Sequence, residues 1–265
     1  MPVLQCLMVE MSDDIERWQA QRTAELAAPS SWLGLVGLFW LQPGVNRVGS
    51  SPECAVVLPG GPAVLGSLNW AARGVVWQPT GGPEQMLATD RDGAPTVVDF
   101  ENLSFFVVDR EGQLAVRVRD REWATRKPFA GLDYYPFDAA WQIEADWQAI
   151  DPPQLIEVPT VTGELKPVAV THRAVFEHAG QVVALLPMSV GDKEVFFVFR
   201  DQTSGRETYG AGRFLKANRT VDGKILLDFN RAFNPPCAFT PFATCPLPPP
   251  DNWLPFPVAA GEKKW

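Results

Sequence analysis

Histidine is scarce in this sequence: His172 and His178 are the only 2 among 265 residues. A Ser-His-Asp hydrolase needs an imidazole held between a nucleophile and a carboxylate, and no nucleophile elbow accompanies either residue. Zinc needs four ligands, and Cys237, Cys245, His172 and His178 would supply that number. The two His, however, fall six apart on one expected strand, roughly 20 Å along it if extended, so no metal and no cofactor are expected. Cysteine is nearly as sparse, with 4 in the chain. That is too few to staple a chain of this length, and Cys237 and Cys245 read first as neutral structural thiols.

Positive charge is in deficit. Lys and Arg total 23 against 31 Asp and Glu, for a net charge of −8 and a pI near 4.9. Such a chain repels phosphate backbones and anionic lipid, which excludes nucleic acid and membrane as expected partners. A local basic pocket for a small anionic ligand stays compatible with it. No apolar run reaches the roughly 18 residues that span a bilayer. Residues 1–10 lack a basic flank and a cleavage pattern, so no signal peptide is expected and cytoplasm is the expected compartment. Met11 precedes Ser12-Asp13-Asp14 directly and is a candidate start.

What is present is the material of a β protein. Hydrophobic residues make up 46%, with 16 Phe and 10 Trp, which fill wide β cores. One helix is expected over 12–27, capped by Ser12, favoured by Asp13 and Asp14, and stopped by Pro29, with Ile15, Trp18 and Leu26 on its packed face. From Ser31 onward short apolar runs alternate with Gly, Pro and Asp breaks, the pattern of a sandwich or barrel. In 114–119, Leu114, Val116 and Val118 alternate with Ala115, Arg117 and Arg119, which predicts one wet face. The expected fold is mainly β. It has an N-terminal segment and helix (1–28), a β module (29–125) and a second β module with an extended Pro-rich tail (126–265). The stretch 44–58 is similar to the opening strands of a forkhead-associated domain, but Ser50 and Gly66-Ser67-Leu68-Asn69 replace the residues that clamp a phosphate there.

The densest polar segment lies between Glu194 and Glu262. It contains Asp201-x-Thr203-x-Gly205-x-x-Thr208-Tyr209, then Arg213-Phe214-Leu215, then Asp228-Phe229-Asn230. Asn234-Pro235-Pro236-Cys237-Ala238-Phe239-Thr240, Thr244-Cys245-Pro246-Leu247-Pro248-Pro249, Asn252 and Gly261-Glu262 follow. These elements, with Trp32-Leu33 and the stretch 93–98, resemble the bacterial family described as domain of unknown function 1684. The resemblance covers most of the chain, is most specific at its C-terminal end, and implies no activity.

The candidate ligand-binding residues are Asp201, Tyr209, Arg213, Asp228, Asn230, Asn234, Cys237 and Glu262. Arg213 and Tyr209, if they converge with Asn230 and Asn234, would make a pocket for a small carboxylate or phosphate. Three functions follow as expectations. One is a binding protein for a small anionic metabolite. The second is a hydrolase-like enzyme with Asp201, Asp228 or Glu262 as acid or base. The third is a structural or interaction protein, in which the same residues pin an irregular tail. An Asp after a buried strand is also similar to phosphotransfer enzymes of the haloacid dehalogenase type, but the alternating helices of that fold are missing, and a turn at Asp201 is expected instead. Arg213 is expected to pair with Asp228 across a hairpin at Asp222-Gly223. Phe239, Phe242 and Trp253 are expected to be buried.

Overall fold

The computed structural model describes residues 2–91, 93–127, 129–219 and 222–265, and the chain is mainly β with one long N-terminal helix. That helix, α1, spans Pro2–Ala27. It begins well before Ser12, so Ser12 lies inside it and is not its cap. The physical reason is the preceding sequence: Pro2 is tolerated in a first turn, and the residues after it are helix formers without a glycine. Capping signals act only where a helix has reason to start. Ile15 and Leu26 are buried, as the apolar face requires. Among the described residues, no helix is long and apolar enough to cross a membrane.

The chain divides into two compact units, Leu26–Phe129 on one hand and Met1–Glu25 with Ala130–Trp265 on the other. The first unit holds β1 (Leu35–Trp40), β2 (Gly44–Gly49), β3 (Val56–Val57), β4 (Gly66–Ala71), β5 (Gly74–Pro79), β6 (Gln85–Leu87), β7 (Val97–Phe100), β8 (Leu103–Arg110) and β9 (Gln113–Asp120). A short helix, α2 (Trp123–Arg126), follows. The strands form a sheet of order β1-β9-β8-β7 and another of order β3-β2-β4-β5-β6. Val48, Leu68, Val75 and Trp77 from one sheet and Phe105, Val107, Val116 and Val118 from the other make one buried cluster.

The face of β9 expected to be wet is covered. Ala115 and Arg117 are buried, and the Arg117 guanidinium lies 4.9 Å from the Trp32 ring. β9 is an inner strand between β1 and β8, and Arg stems cover apolar surface while their heads find an aromatic face. Alternation of Arg with Val therefore marks two different kinds of burial here, not burial against water.

The second unit holds β10 (Gln142–Pro159), β11 (Leu165–His178), β12 (Gln181–Leu185), β13 (Pro187–Val190), β14 (Val195–Phe199), β15 (Arg213–Arg219) and β16 (Lys224–Asp228). They form one antiparallel sheet of order β12-β11-β10-β16-β15-β14-β13. Its two edge strands, β12 and β13, are separated in the chain by Leu186 alone. A connection this short forces the sheet to curl until its edges meet, which is the geometry of a barrel. Phe176, Phe197, Phe199, Leu215, Ile225, Leu227 and Phe229 fill the interior. His172 and His178 both lie on β11, stacked against Trp147 and packed on Trp141 respectively.

Leu186 sits where the ladder is interrupted, so its backbone needs other partners. Asn252 provides them: its Oδ1 accepts from Leu186 N at 2.7 Å, and its Nδ2 donates to Leu186 O and to Val198 O, both at 2.8 Å. A primary amide is the one neutral side chain that donates and accepts in this way. Asn252→Ala is expected to destabilise the protein by about 2–4 kcal/mol, since buried Leu186 and Val198 groups lose their partners. Asn252→Asp is expected not to rescue it, because a carboxylate has no donor for the two carbonyls. Urea unfolding checks both, with exposed Gln181→Ala as a control expected within about 0.5 kcal/mol of the parent.

Candidate functional site

Strand β14 ends at Phe199, and Asp201 opens the turn after it. Asp201 Oδ1 accepts from Thr203 N at 2.7 Å and Thr203 Oγ1 at 2.5 Å, and Thr203 Oγ1 lies 2.8 Å from Thr208 Oγ1. This is the side-chain turn that Asp favours. It leaves Asp201 Oδ2 for Arg213, whose Nη2 donates to it at 3.0 Å. The same guanidinium reaches three carbonyls of the tail: Nη2 donates to Val258 O at 2.9 Å, and Nη1 donates to Ala260 O and to Glu262 O, the latter at 3.3 Å. Arg213 is wholly buried, with its guanidinium carbon 5.2 Å from the Phe199 ring. Burial pushes its pKa down, and the Asp201 charge opposes that.

Expected to pair with Asp228, Arg213 instead pairs with Asp201, and the register explains why. The hairpin expected at Asp222-Gly223 does set β15 beside β16, with Asn218 opposite Leu226. A 3-10 turn at Phe229–Arg231 then intervenes, so that Phe214 faces Phe233 and Arg213 lies past the end of β16. Asp228 caps that turn. Its Oδ1 accepts from Asn230 N and Asn230 Nδ2, and its Oδ2 accepts from Gln142 Nε2 at 3.0 Å. Asn230 spends its amide on Asp138, taking the backbone N–H and donating to the carbonyl, each at 3.0 Å.

A second knot joins the tail to α1. Glu262, fully buried, accepts from Arg22 Nε at 2.9 Å and from Asn234 N at 2.7 Å. Arg22 Nη2 also donates to Asn234 O, and Asn234 Nδ2 donates to Lys263 O. Burial raises the Glu262 pKa, outweighing Arg22 and the Asn234 N–H, which lower it. Gly261 makes the turn into this knot. Its φ is +76°, and a Cβ there would stand 2.4 Å from Ala232 O. Arg22 is a residue the sequence reading missed. The signal was its position: Ile15, Trp18, Arg22 and Leu26 share one helical stripe, so this Arg had to meet a buried partner.

Tyr209 and Cys237 make a third group. The Tyr209 hydroxyl donates to Cys237 O at 3.0 Å, and Cys237 N donates to Cys245 Sγ at 3.3 Å. The eight candidates therefore do not line one pocket. Asp201, Arg213, Glu262 and Asn234 form one connected network, Asp228 and Asn230 a second, Tyr209 and Cys237 a third.

The tail is extended, and its side chains alternate. Asn252, Leu254, Phe256, Val258 and Ala260 are buried, while Trp253, Pro255, Pro257 and Ala259 are exposed. Phe239 is buried and Phe242 is half-buried, but Trp253 is 53% exposed, against expectation. In an extended chain neighbours point to opposite sides, and the seam claims Asn252. Trp253 is thereby turned outward, where its ring lies 5.3 Å from the Arg200 guanidinium and its indole N–H donates to Pro248 O.

Open space lies elsewhere in the same unit. A groove of about 470 Å³ is bounded by Asp14 and Trp18 of α1, Glu194, Lys216 of β15, Asp228 and Arg231. Asp228 is the one sequence candidate on its wall. Lys216 Nζ lies 3.0 Å from Glu194, and Arg231 contacts Asp14 and, at 3.5 Å, Asp228. The Arg231 guanidinium carbon is 5.9 Å from the Trp18 ring. In the first unit a hollow of about 430 Å³ is lined by Asn102, Asp120 and Arg126, and there both Asn102 and Arg126 are bonded to Asp120.

Residues 127–263 match the model of a family described as protein of unknown function (DUF1684). A solution NMR structure of an uncharacterised protein from Haloarcula marismortui is 31% identical, covering 52% of this chain and 78% of that one, with a TM-score of 0.43. No curated protein matches the chain.

Two outcomes are expected of the buried network. Arg213→Met is expected to cost about 3–5 kcal/mol in urea unfolding, because buried Asp201 would lose its ion-pair partner and the three tail carbonyls their donor. Arg213→Lys is expected not to restore it, since one ammonium cannot span the acceptors of a fork. Glu262 sets a pH dependence. Its folded pKa is raised above 4.5, so the folded state binds more protons than the unfolded one just above that pH. Its contribution is therefore present below about 4.5 and is lost as pH rises through the folded value. The stability difference between wild type and Glu262→Gln is expected to shift toward the variant between pH 4.5 and neutrality, as read from unfolding curves along a pH series. A difference that stays flat over that range would count against it.

Proposed function

We propose that this chain, which belongs to the DUF1684 family, is a binding protein for a small anionic metabolite, and that the ligand sits in the groove between Trp18, Lys216 and Arg231. The observation that carries the reading is how the two cations are held. Lys216 is paired with Glu194, and Arg231 with Asp14, and those carboxylates are 48% and 55% exposed. Exposed pairs of this kind are worth about 0–1 kcal/mol, so a ligand carboxylate or phosphate can take the place of either acid at small cost. Asp228 is different: it is buried and committed to the turn at Asn230, and it serves as a wall. The volume suits a small molecule, and Trp18 offers an aromatic side.

Arg213 was the expected anchor, and its two Nη groups go instead to Asp201 and the tail, which supports a structural role for it. An acid–base role gains no support from Glu262. Its raised pKa is the property such a role would need, yet the carboxylate is enclosed and taken by Arg22 and Asn234. The proposal places the protein in the cytoplasm. With 4 Cys in 265 residues the chain has no disulfide framework to form, which fits a reducing compartment.

Thermal melts with a panel of small mono- and dicarboxylates and inorganic phosphate, at matched ionic strength with chloride as reference, test the site. At a hundredfold excess over Kd a true ligand adds about 2.7 kcal/mol of stability. The shift is expected in the wild type and is expected to vanish in a Lys216→Gln, Arg231→Gln double variant. A panel that leaves the wild type unmoved, or moves both proteins alike, would sink the reading.

A further inference from the structure

Cys237 and Cys245 meet as a pair that the ligand groove does not use. Cys237 lies in the 3-10 turn Pro236–Ala238, which is closed by Ala238 N donating to Pro235 O at 2.9 Å. Cys245 is held from the other side: its carbonyl accepts from Val161 N at 3.0 Å, and the next residue, Pro246, bridges Thr160. Both backbones are therefore fixed, and Cys237 N donates to Cys245 Sγ at 3.3 Å. The two differ in access. Cys237 is half-buried, and Cys245 is buried. The hydroxyl of Tyr209, bonded to Cys237 O at 3.0 Å, stands over the same residue.

We propose that Cys237 is a site of oxidation by hydroperoxides and that Cys245 resolves it to an intramolecular disulfide. A thiol attacked by peroxide must be reachable, and its sulfenic acid survives or is captured according to what stands next to it. Here the more exposed residue, Cys237, has the buried Cys245 as its neighbour. In the first step the Cys237 sulfur attacks one peroxide oxygen and the O–O bond breaks. The thiol proton leaves with the other oxygen as water or an alcohol, and Cys237 becomes a sulfenic acid. In the second step the Cys245 sulfur attacks the Cys237 sulfur. The S–O bond breaks, and the hydroxide departs as water with the Cys245 proton. Two thiols lose two electrons, and the hydroperoxide gains them. Cys245 Sγ already lies 3.3 Å from the Cys237 backbone N, and the sulfurs must close to about 2.05 Å over side-chain bonds that can rotate.

The local electrostatics run the same way. The Cys237 pKa is lowered, first by its side-chain bond with Cys245 and then by Tyr209, with burial opposing both. A larger thiolate fraction speeds attack on peroxide. Cys54 offers a contrast within the chain: it is buried, and its thiol is directed at Ala63 O, 3.4 Å away.

Trypsin gives a clean readout, because no Lys or Arg falls between Arg231 and Lys263, and peptide 232–263 carries Cys237 and Cys245 and no other cysteine. Full-length protein is treated with hydrogen peroxide, alkylated, digested and weighed. The wild-type peptide is expected to lose two hydrogens, to resist alkylation, and to regain both thiols on reduction, before Cys54 is touched. In Cys245→Ser the peptide is expected to gain one oxygen and to be trapped by dimedone at Cys237. In Cys237→Ser it is expected to remain unoxidised over the same time. The proposal is overturned if wild-type peptide 232–263 stays fully alkylatable when Cys54 has reacted. It is equally overturned if Cys237 climbs to sulfinic acid in the wild type without passing through the disulfide. The wild-type measurement stands even if either variant fails to fold.

Discussion

The enclosed guanidinium of Arg213 is the constraint on which the C-terminal unit depends. A positive charge with no access to water must be surrounded by acceptors, or the fold cannot keep it. Asp201 supplies the opposite charge, and the tail supplies three carbonyls, from Val258, Ala260 and Glu262. Only an extended chain turns every second carbonyl to the same side. The tail is therefore extended, and its side chains alternate between core and water. Asn252 and Phe256 fall on the inner side and Trp253 on the outer. The path that satisfies Arg213 is also the path that brings Asn252 to the gap at Leu186, where the two edges of the barrel meet.

An ion pair of this kind does little for net stability, because desolvation consumes most of the Coulombic gain. The stabilising weight lies with the barrel interior, where Phe197, Phe199, Phe229 and Leu227 are fully buried. What the pair decides is which of many extended paths a Pro-rich segment takes. Prolines contribute by lacking a donor: Pro255 and Pro257 cannot leave an N–H orphaned on the outer side. The knot at Glu262 carries a strain of its own. Burial there pushes the carboxylate toward its neutral form despite Arg22, so the last turn, at Gly261, is sensitive to pH.

Much of the scaffold was legible in the residues. Short apolar runs cut by turn chemistry led to strands, Asp201 to a side-chain turn, and Asp222-Gly223 to a hairpin, because each of those signals is local. The failures share a cause too. Ser12 looked like a cap, but whether it acts as one depends on the ten residues before it. Arg117 looked wet by alternation, but Trp32, distant in sequence, covers it. A hairpin alone would bring Arg213 toward Asp228, but the turn at Phe229–Arg231 breaks the register. Trp253 was placed inside on hydrophobicity alone, when the parity of an extended chain put its neighbour there. In each case the decisive partner lay outside the window in which the signal was read.

The partners of a polar group also separate scaffold from site. Asn234, Asn252, Asn230 and Arg213 bond mainly to backbone, and a ligand cannot displace a peptide group without unfolding the segment that carries it. Their density near the C-terminus reflects how many irregular backbone groups the tail and the barrel seam leave to satisfy. Lys216 bonds to exposed Glu194 and Arg231 to exposed Asp14 as well as to Asp228, and exposed partners give way at low cost. Residue type alone did not distinguish these cases, since an Arg or an Asp is equally suited to either task. The distinction rests on what holds the side chain in place. By that criterion the motif's side chains are held by backbone and the groove's cations by exposed carboxylates.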